Sequence, residues 1–104
     1  VFLELKRRLA NNIEINYWKN KQGSEVDFVI REGLKANEII QVCYDITDEK
    51  TKSREIKGII ECSKELKTEK GLIITKDFED EKTIEGIKIK YIPLWKWLLK
   101  NGSR

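Results

Sequence analysis

Two runs decide the fold: Glu25-Val26-Asp27-Phe28-Val29-Ile30-Arg31 and, after a Glu32-Gly33 turn, Glu38-Ile39-Ile40-Gln41-Val42-Cys43-Tyr44. The first alternates, so Val26, Phe28 and Ile30 are expected to face a core while Glu25, Asp27, Val29 and Arg31 face away. The second is almost continuously apolar, the mark of a strand covered on both faces. Upstream, Ile13 to Trp18 alternates as well, with Ile13, Ile15 and Tyr17 on one side and Glu14, Asn16 and Trp18 on the other. The connection Lys21-Gln22-Gly23-Ser24 is a turn. Loops this short join antiparallel neighbours, so the three runs read as a meander.

Outward from the meander the period changes. Asp48 to Lys67 carries apolar residues at helical spacing (Ile56, Ile59, Ile60, with Ser63 and Leu66), and the rest of that segment is charged. Gly58 inside a helix costs about 1 kcal/mol relative to alanine, which points to a close packing contact there. Gly71 to Thr75 is a short buried strand. It is reached through the helix and is therefore expected to be parallel to the third strand. Asp77 to Lys82 reads as an acidic loop and Ile87 to Ile92 as an alternating strand. Pro93 reads as the opening of a terminal helix, with Gly102 past its end. At the other end, Phe2, Leu5 and Leu9 give a helical stripe over Val1 to Leu9. The order is α-β-β-β-α-β-β-α, an α+β (α/β) single domain over residues 1–104 with a mixed sheet.

Composition narrows the chemistry. Of 104 residues, 39% are hydrophobic, enough for one modest core. Charged residues reach 38% with a net charge of only +3, so the signs are interspersed and nucleic-acid binding is permitted without being demanded. Lysine, glutamate and isoleucine dominate, a bias compatible with a thermophile or an AT-rich genome. There is no histidine, which excludes Ser-His-Asp and Cys-His nucleophiles. Cys43 and Cys62 form no CxxC pair, so zinc is not expected, and both read as buried thiols of a reducing cytosol. No Walker pattern is present, and ATP hydrolysis is not expected of this segment. No apolar run approaches the ~20 residues of a membrane span, so a cytoplasmic location is expected. The chain contains no methionine and reads as part of a longer protein.

What remains is carboxylates on strands. Aspartate is depleted in strands, which sets Asp27 apart. Gln41 and Cys43 share one face of the next strand, and across an antiparallel pair Asp27 and Gln41 come within reach. A hard divalent cation takes oxygen ligands. Asp27 offers a carboxylate, Gln41 a neutral amide oxygen, and Glu4 a second carboxylate if its helix packs over these strands.

The runs Glu25-Val26-Asp27-Phe28-Val29 and Ile40-Gln41-Val42-Cys43-Tyr44, set in an α-β-β-β-α-β order, resemble the core of the PD-(D/E)XK, restriction-endonuclease-like fold, here with an extra C-terminal strand and helix. Together with Phe2-Leu3-Glu4-Leu5-Lys6-Arg7-Arg8, Tyr17-Trp18-Lys19 and Pro93-Leu94-Trp95-Lys96-Trp97-Leu98-Leu99, they resemble the C-terminal domain of archaeal and bacterial AAA-type ATPases. The resemblance implies that Asp27 matches the metal-binding aspartate, Gln41 the Asp/Glu position, Glu4 the acidic residue of the first helix, and Cys43 the lysine. A thiol cannot orient water or stabilise phosphorane charge as that lysine does. A lysine moved to the helix, Lys57 or Lys64, is the conceivable replacement.

The expectation is therefore an accessory domain of a longer ATPase, with a degenerate nuclease-like fold. It would bind DNA or the N-terminal ATPase domain of its own polypeptide without cleavage, and it would be inactive as a nuclease. Mg²⁺ is the cofactor to test at the degenerate site, and ATP belongs to the parent protein rather than to this domain. The alternatives are an active Mg²⁺-dependent DNA nuclease with a relocated lysine, and a structural or homo-oligomerisation module with an apolar patch near Trp95 and Trp97. No membrane partner is expected.

Overall fold

Among the described residues, short turns and one helical crossover order six strands into a single mixed sheet flanked by two helices. The computed structural model describes residues 1, 13–32, 35–44 and 48–102. The strands are β1 (Ile13–Lys19), β2 (Glu25–Glu32), β3 (Lys35–Val42), β4 (Lys70–Thr75), β5 (Asp80–Ile84) and β6 (Ile87–Pro93), and the helices are α1 (Glu49–Leu66) and α2 (Leu94–Gly102). The sheet order is β1-β2-β3-β4-β6-β5. β1, β2 and β3 form the expected antiparallel meander. β4 runs parallel to β3, as a helical crossover requires, and β6 runs parallel to β4. The first helix read from the sequence lies outside the described residues.

Alternation in β3, β4 and β6 sends side chains to opposite faces, and each face has its own helix. On one face Ile59, Ile60 and Cys62 of α1 pack on Val29, Ile39, Ile73, Ile89 and Tyr91. On the other, Trp97 and Leu94 of α2 pack with Ile30, Ile40, Ile74 and Ile92. Gly58 and Gly71 mark where α1 approaches most closely. A β-carbon on Gly58 would lie 2.7 Å from the Glu25 carbonyl oxygen, and one on Gly71 would lie 2.6 Å from Ile59. The close contact expected at Gly58 is thus present.

α1 begins on Asp48, whose Oδ1 accepts a hydrogen bond from the Lys50 amide while Oδ2 accepts one from the Thr51 hydroxyl. It ends on Lys67 in the left-handed conformation, with the cap amide donating to the Ser63 carbonyl. Among the described residues no helix is long and apolar enough to cross a membrane.

Four local readings are corrected. Asp77 to Lys82 is not all loop, because Asp80–Ile84 forms β5, an edge strand paired with β6 through the positive-φ turn Glu85-Gly86. Pro93 closes β6 and the helix starts at Leu94. In β1 the buried ring is Trp18, 8% exposed, while Tyr17 is 59% exposed. β1 keeps its alternation, with Ile15 on the α2 side and Trp18 on the α1 side, while β2 contributes two residues opposite Tyr17, a bulge. The same bulge breaks the alternation of β2, so that Val26 and Val29 both enter the α1-side core.

Candidate functional site

Asp27 sits on that bulge, at the point where β2 leaves β3. Regular pairing of the two strands ends at Phe28 opposite Ile40, while Glu25 and Val26 stay paired with β1, so the groups that Glu25 and Asp27 turn toward β3 need other partners. Side chains provide them. The Gln41 Oε1 accepts from the Asp27 amide at 2.8 Å, and its Nε2 donates to the Glu25 carbonyl at 2.8 Å. In return the Asp27 Oδ2 accepts from the Val42 amide at 2.8 Å. One primary amide thus stands in for a missing stretch of β ladder, with an aspartate beside it doing the same for β3. Gln41 is 3% exposed. Gly58 lets α1 lie directly over the clasp, since a β-carbon there would also come within 3.3 Å of the Gln41 Nε2.

Cys43 follows the last residue of β3. Its amide donates to the Ile74 carbonyl, and its thiol is buried in the α1-side core. Asp27, Gln41 and Cys43 are therefore brought to one end of β3, as their spacing implied, but Gln41 and Cys43 are directed inward. Glu4 lies outside the described residues. Lys57 pairs with Glu61 one turn along α1, and Lys64 pairs with Glu85 in the β5–β6 turn.

The sequence reading missed two acidic neighbours. Glu55 lies one turn before Gly58 on the face of α1 that meets β2. Its carboxyl titrates above the usual glutamate range, first through burial and then through the negative charge of Asp27, partly opposed by Arg54, with Glu25 adding least. Glu25 accepts a hydrogen bond from the Tyr17 phenol, which holds that phenol above its ordinary value, with burial and the charges of Glu25 and Asp27 adding to it. The available signal was the i−3 spacing of Glu55 from Gly58, a glycine that already implied close approach.

For a hard divalent ion, these residues are a poor fit as they stand. The amide of Gln41 is buried and spent on β2, so Asp27 is the one described carboxylate of the implied ligand set. Among the described residues no three acidic, cysteine or histidine side chains converge on a point that could hold a metal.

Residues 1–97 match the model of a domain of unknown function, DUF4143. The chain belongs to the DUF4143 family. It is also 36% identical over 105 residues to the uncharacterized protein MJ1544 of Methanocaldococcus jannaschii, an alignment covering 95% of this chain and 23% of the relative. The chain thus spans under a quarter of that relative's length.

Proposed function

We propose that this DUF4143 domain is a non-cleaving accessory module of a longer AAA-type ATPase, built on a degenerate PD-(D/E)XK-like frame and working by binding. The observation that carries this reading is the use of Gln41. In a metal-dependent nuclease the residue at that position turns an oxygen toward the ion, whereas here both ends of its side chain hydrogen-bond to the β2 backbone. The buried thiol of Cys43 fits the same reading, because it offers no charge to a scissile phosphate. The strand order, with an antiparallel meander followed by a parallel strand across a helix, supports the frame. The small share of the M. jannaschii relative that is aligned supports a place within a longer polypeptide.

The test is a nicking assay on supercoiled plasmid with Mg²⁺ and with Mn²⁺. The expected outcome is no nicking above a no-protein control. Nicking that disappears in Asp27→Ala would favour the active-nuclease alternative instead.

A further inference from the structure

Among the described residues, the sheet face opposite α1 has an uncovered end. Gly71 and Ile73 turn toward α1, so Lys70 and Leu72 turn away from it. Ile87, Ile89 and Tyr91 enter the α1-side core, so Lys88 and Lys90 turn away as well. Lys70 lies in register beside Lys88, and Leu72 beside Lys90, on the neighbouring parallel strands β4 and β6. With Glu38 of β3 and Glu81 of β5 they line an open groove of about 190 Å³.

Charge in this groove is incompletely balanced. Lys88 pairs with Glu81 at 3.0 Å. Lys70 and Lys90 make no ion pair among the described residues, although Lys70 is close enough to Glu38 to favour its ionised form. Burial opposes that ionisation and is the larger effect, raising the Glu38 carboxyl above its usual range. Lys70 and Lys88, side by side on adjacent strands about 4.8 Å apart, work against the sheet, and Glu81 answers Lys88 alone, so an anion meeting Lys70 would relieve the remainder.

We propose that this groove grips the phosphodiester backbone of duplex nucleic acid, with Lys70 and Lys90 each meeting a phosphate. The chemistry of the groove favours this occupant over an acidic peptide. The groove crosses β3, β4 and β6, each paired on both sides, and the one edge beside it, β5, opens with Asp80 and Glu81, which would repel an acidic peptide. Lysines are flexible point charges that suit phosphates without reading sequence. Among the described residues no aromatic ring lines the groove, which disfavours base stacking and hence a single strand. The site is separate from Asp27 and the Gln41 clasp. It rests on the reading that the domain binds rather than cuts, but nicking and binding are measured separately, so either can fail alone.

The experiment titrates the 104-residue chain into a fluorescein-labelled DNA duplex across a salt series and follows anisotropy. Binding should weaken with salt. Lys70→Ala and Lys90→Ala should each lower the slope of log K against log salt by about one, regardless of duplex sequence. Glu38→Gln should tighten binding by removing a competing carboxyl, and Lys57→Ala on α1 should leave the slope unchanged. Circular dichroism checks folding, and Lys70→Gln and Lys90→Gln serve as replacements if an alanine variant fails to fold. Three results would overturn the proposal: no salt-dependent binding by the wild type, a slope indifferent to the groove variants, or equal lysine-dependent binding of a polyglutamate peptide or inorganic phosphate.

Discussion

The two ends of β3 treat their polar groups in opposite ways. At the C-terminal end, Gln41 and the Asp27 Oδ2 are turned onto backbone amides and carbonyls. Toward the other end, Glu38 faces lysines of which two lack an ion-pair partner among the described residues. Groups spent on the fold are silent toward ligands, whereas charges left without close partners on an open face are available to them. On our proposal the end that resembles a nuclease centre serves the fold, and the groove serves binding.

The comparison breaks most visibly at Gln41. Gln41→Leu leaves the Asp27 amide and the Glu25 carbonyl without their partner beneath α1. At roughly 1–3 kcal/mol for each stranded group, partly offset by easier burial of the leucine, the loss should be about 2–3 kcal/mol in urea denaturation. Gly58→Ala should follow at about 1–2 kcal/mol. The new β-carbon meets the backbone carbonyl of Glu25, and backbone yields less readily than a side chain, while alanine's better helix propensity returns part of the cost.

Glu55→Gln should act in the other direction. The Glu55 carboxyl titrates high in the fold, so the native state binds more protons than the unfolded state between the ordinary glutamate value and the raised one. Its ionised form therefore costs stability that appears as pH rises through that window. The variant should be more stable than wild type at neutral pH by about 0.5 kcal/mol, and the difference should vanish in acid. A gap that persists below the window would mean that Glu55 matters for packing and not for charge. At the groove end, Lys90→Ala should change stability by no more than about 0.5 kcal/mol, because Lys90 makes no ion pair among the described residues for the fold to lose. A larger loss would show that this end too is structural and would erase the contrast.

Much of the frame was legible from periodicity. The meander, α1 with its close-packed Gly58, the parallel β4 and the burial of both cysteines all follow from hydrophobic spacing and loop length. Three features were not. β5 is written Asp80-Glu81-Lys82-Thr83-Ile84, a charged edge strand whose pairing depends on the Glu85-Gly86 turn and on β6 rather than on its own propensity. The bulge at Asp27 is a property of the β1–β2 pair, which a single-strand alternation cannot reveal. Gln41 and Asp27 were placed together correctly, but the amide's orientation depends on β2 parting from β3, a tertiary event. The resemblance singled out Asp27 and Gln41, and local hydrogen bonding sets how their side chains are used in the fold.

Gln41→Glu tests that most directly, read as stability against pH with and without Mg²⁺. A carboxylate facing the Glu25 carbonyl repels it, whereas the protonated acid can donate to that carbonyl as the amide Nε2 does. The account predicts a variant destabilised by about 2 kcal/mol at neutral pH. Its stability should recover toward wild type as pH falls through the raised value of the new carboxyl, and Mg²⁺ should have no effect. A variant as stable as wild type at neutral pH, and stabilised further by Mg²⁺, would mean that position 41 addresses a metal and would contradict the clasp.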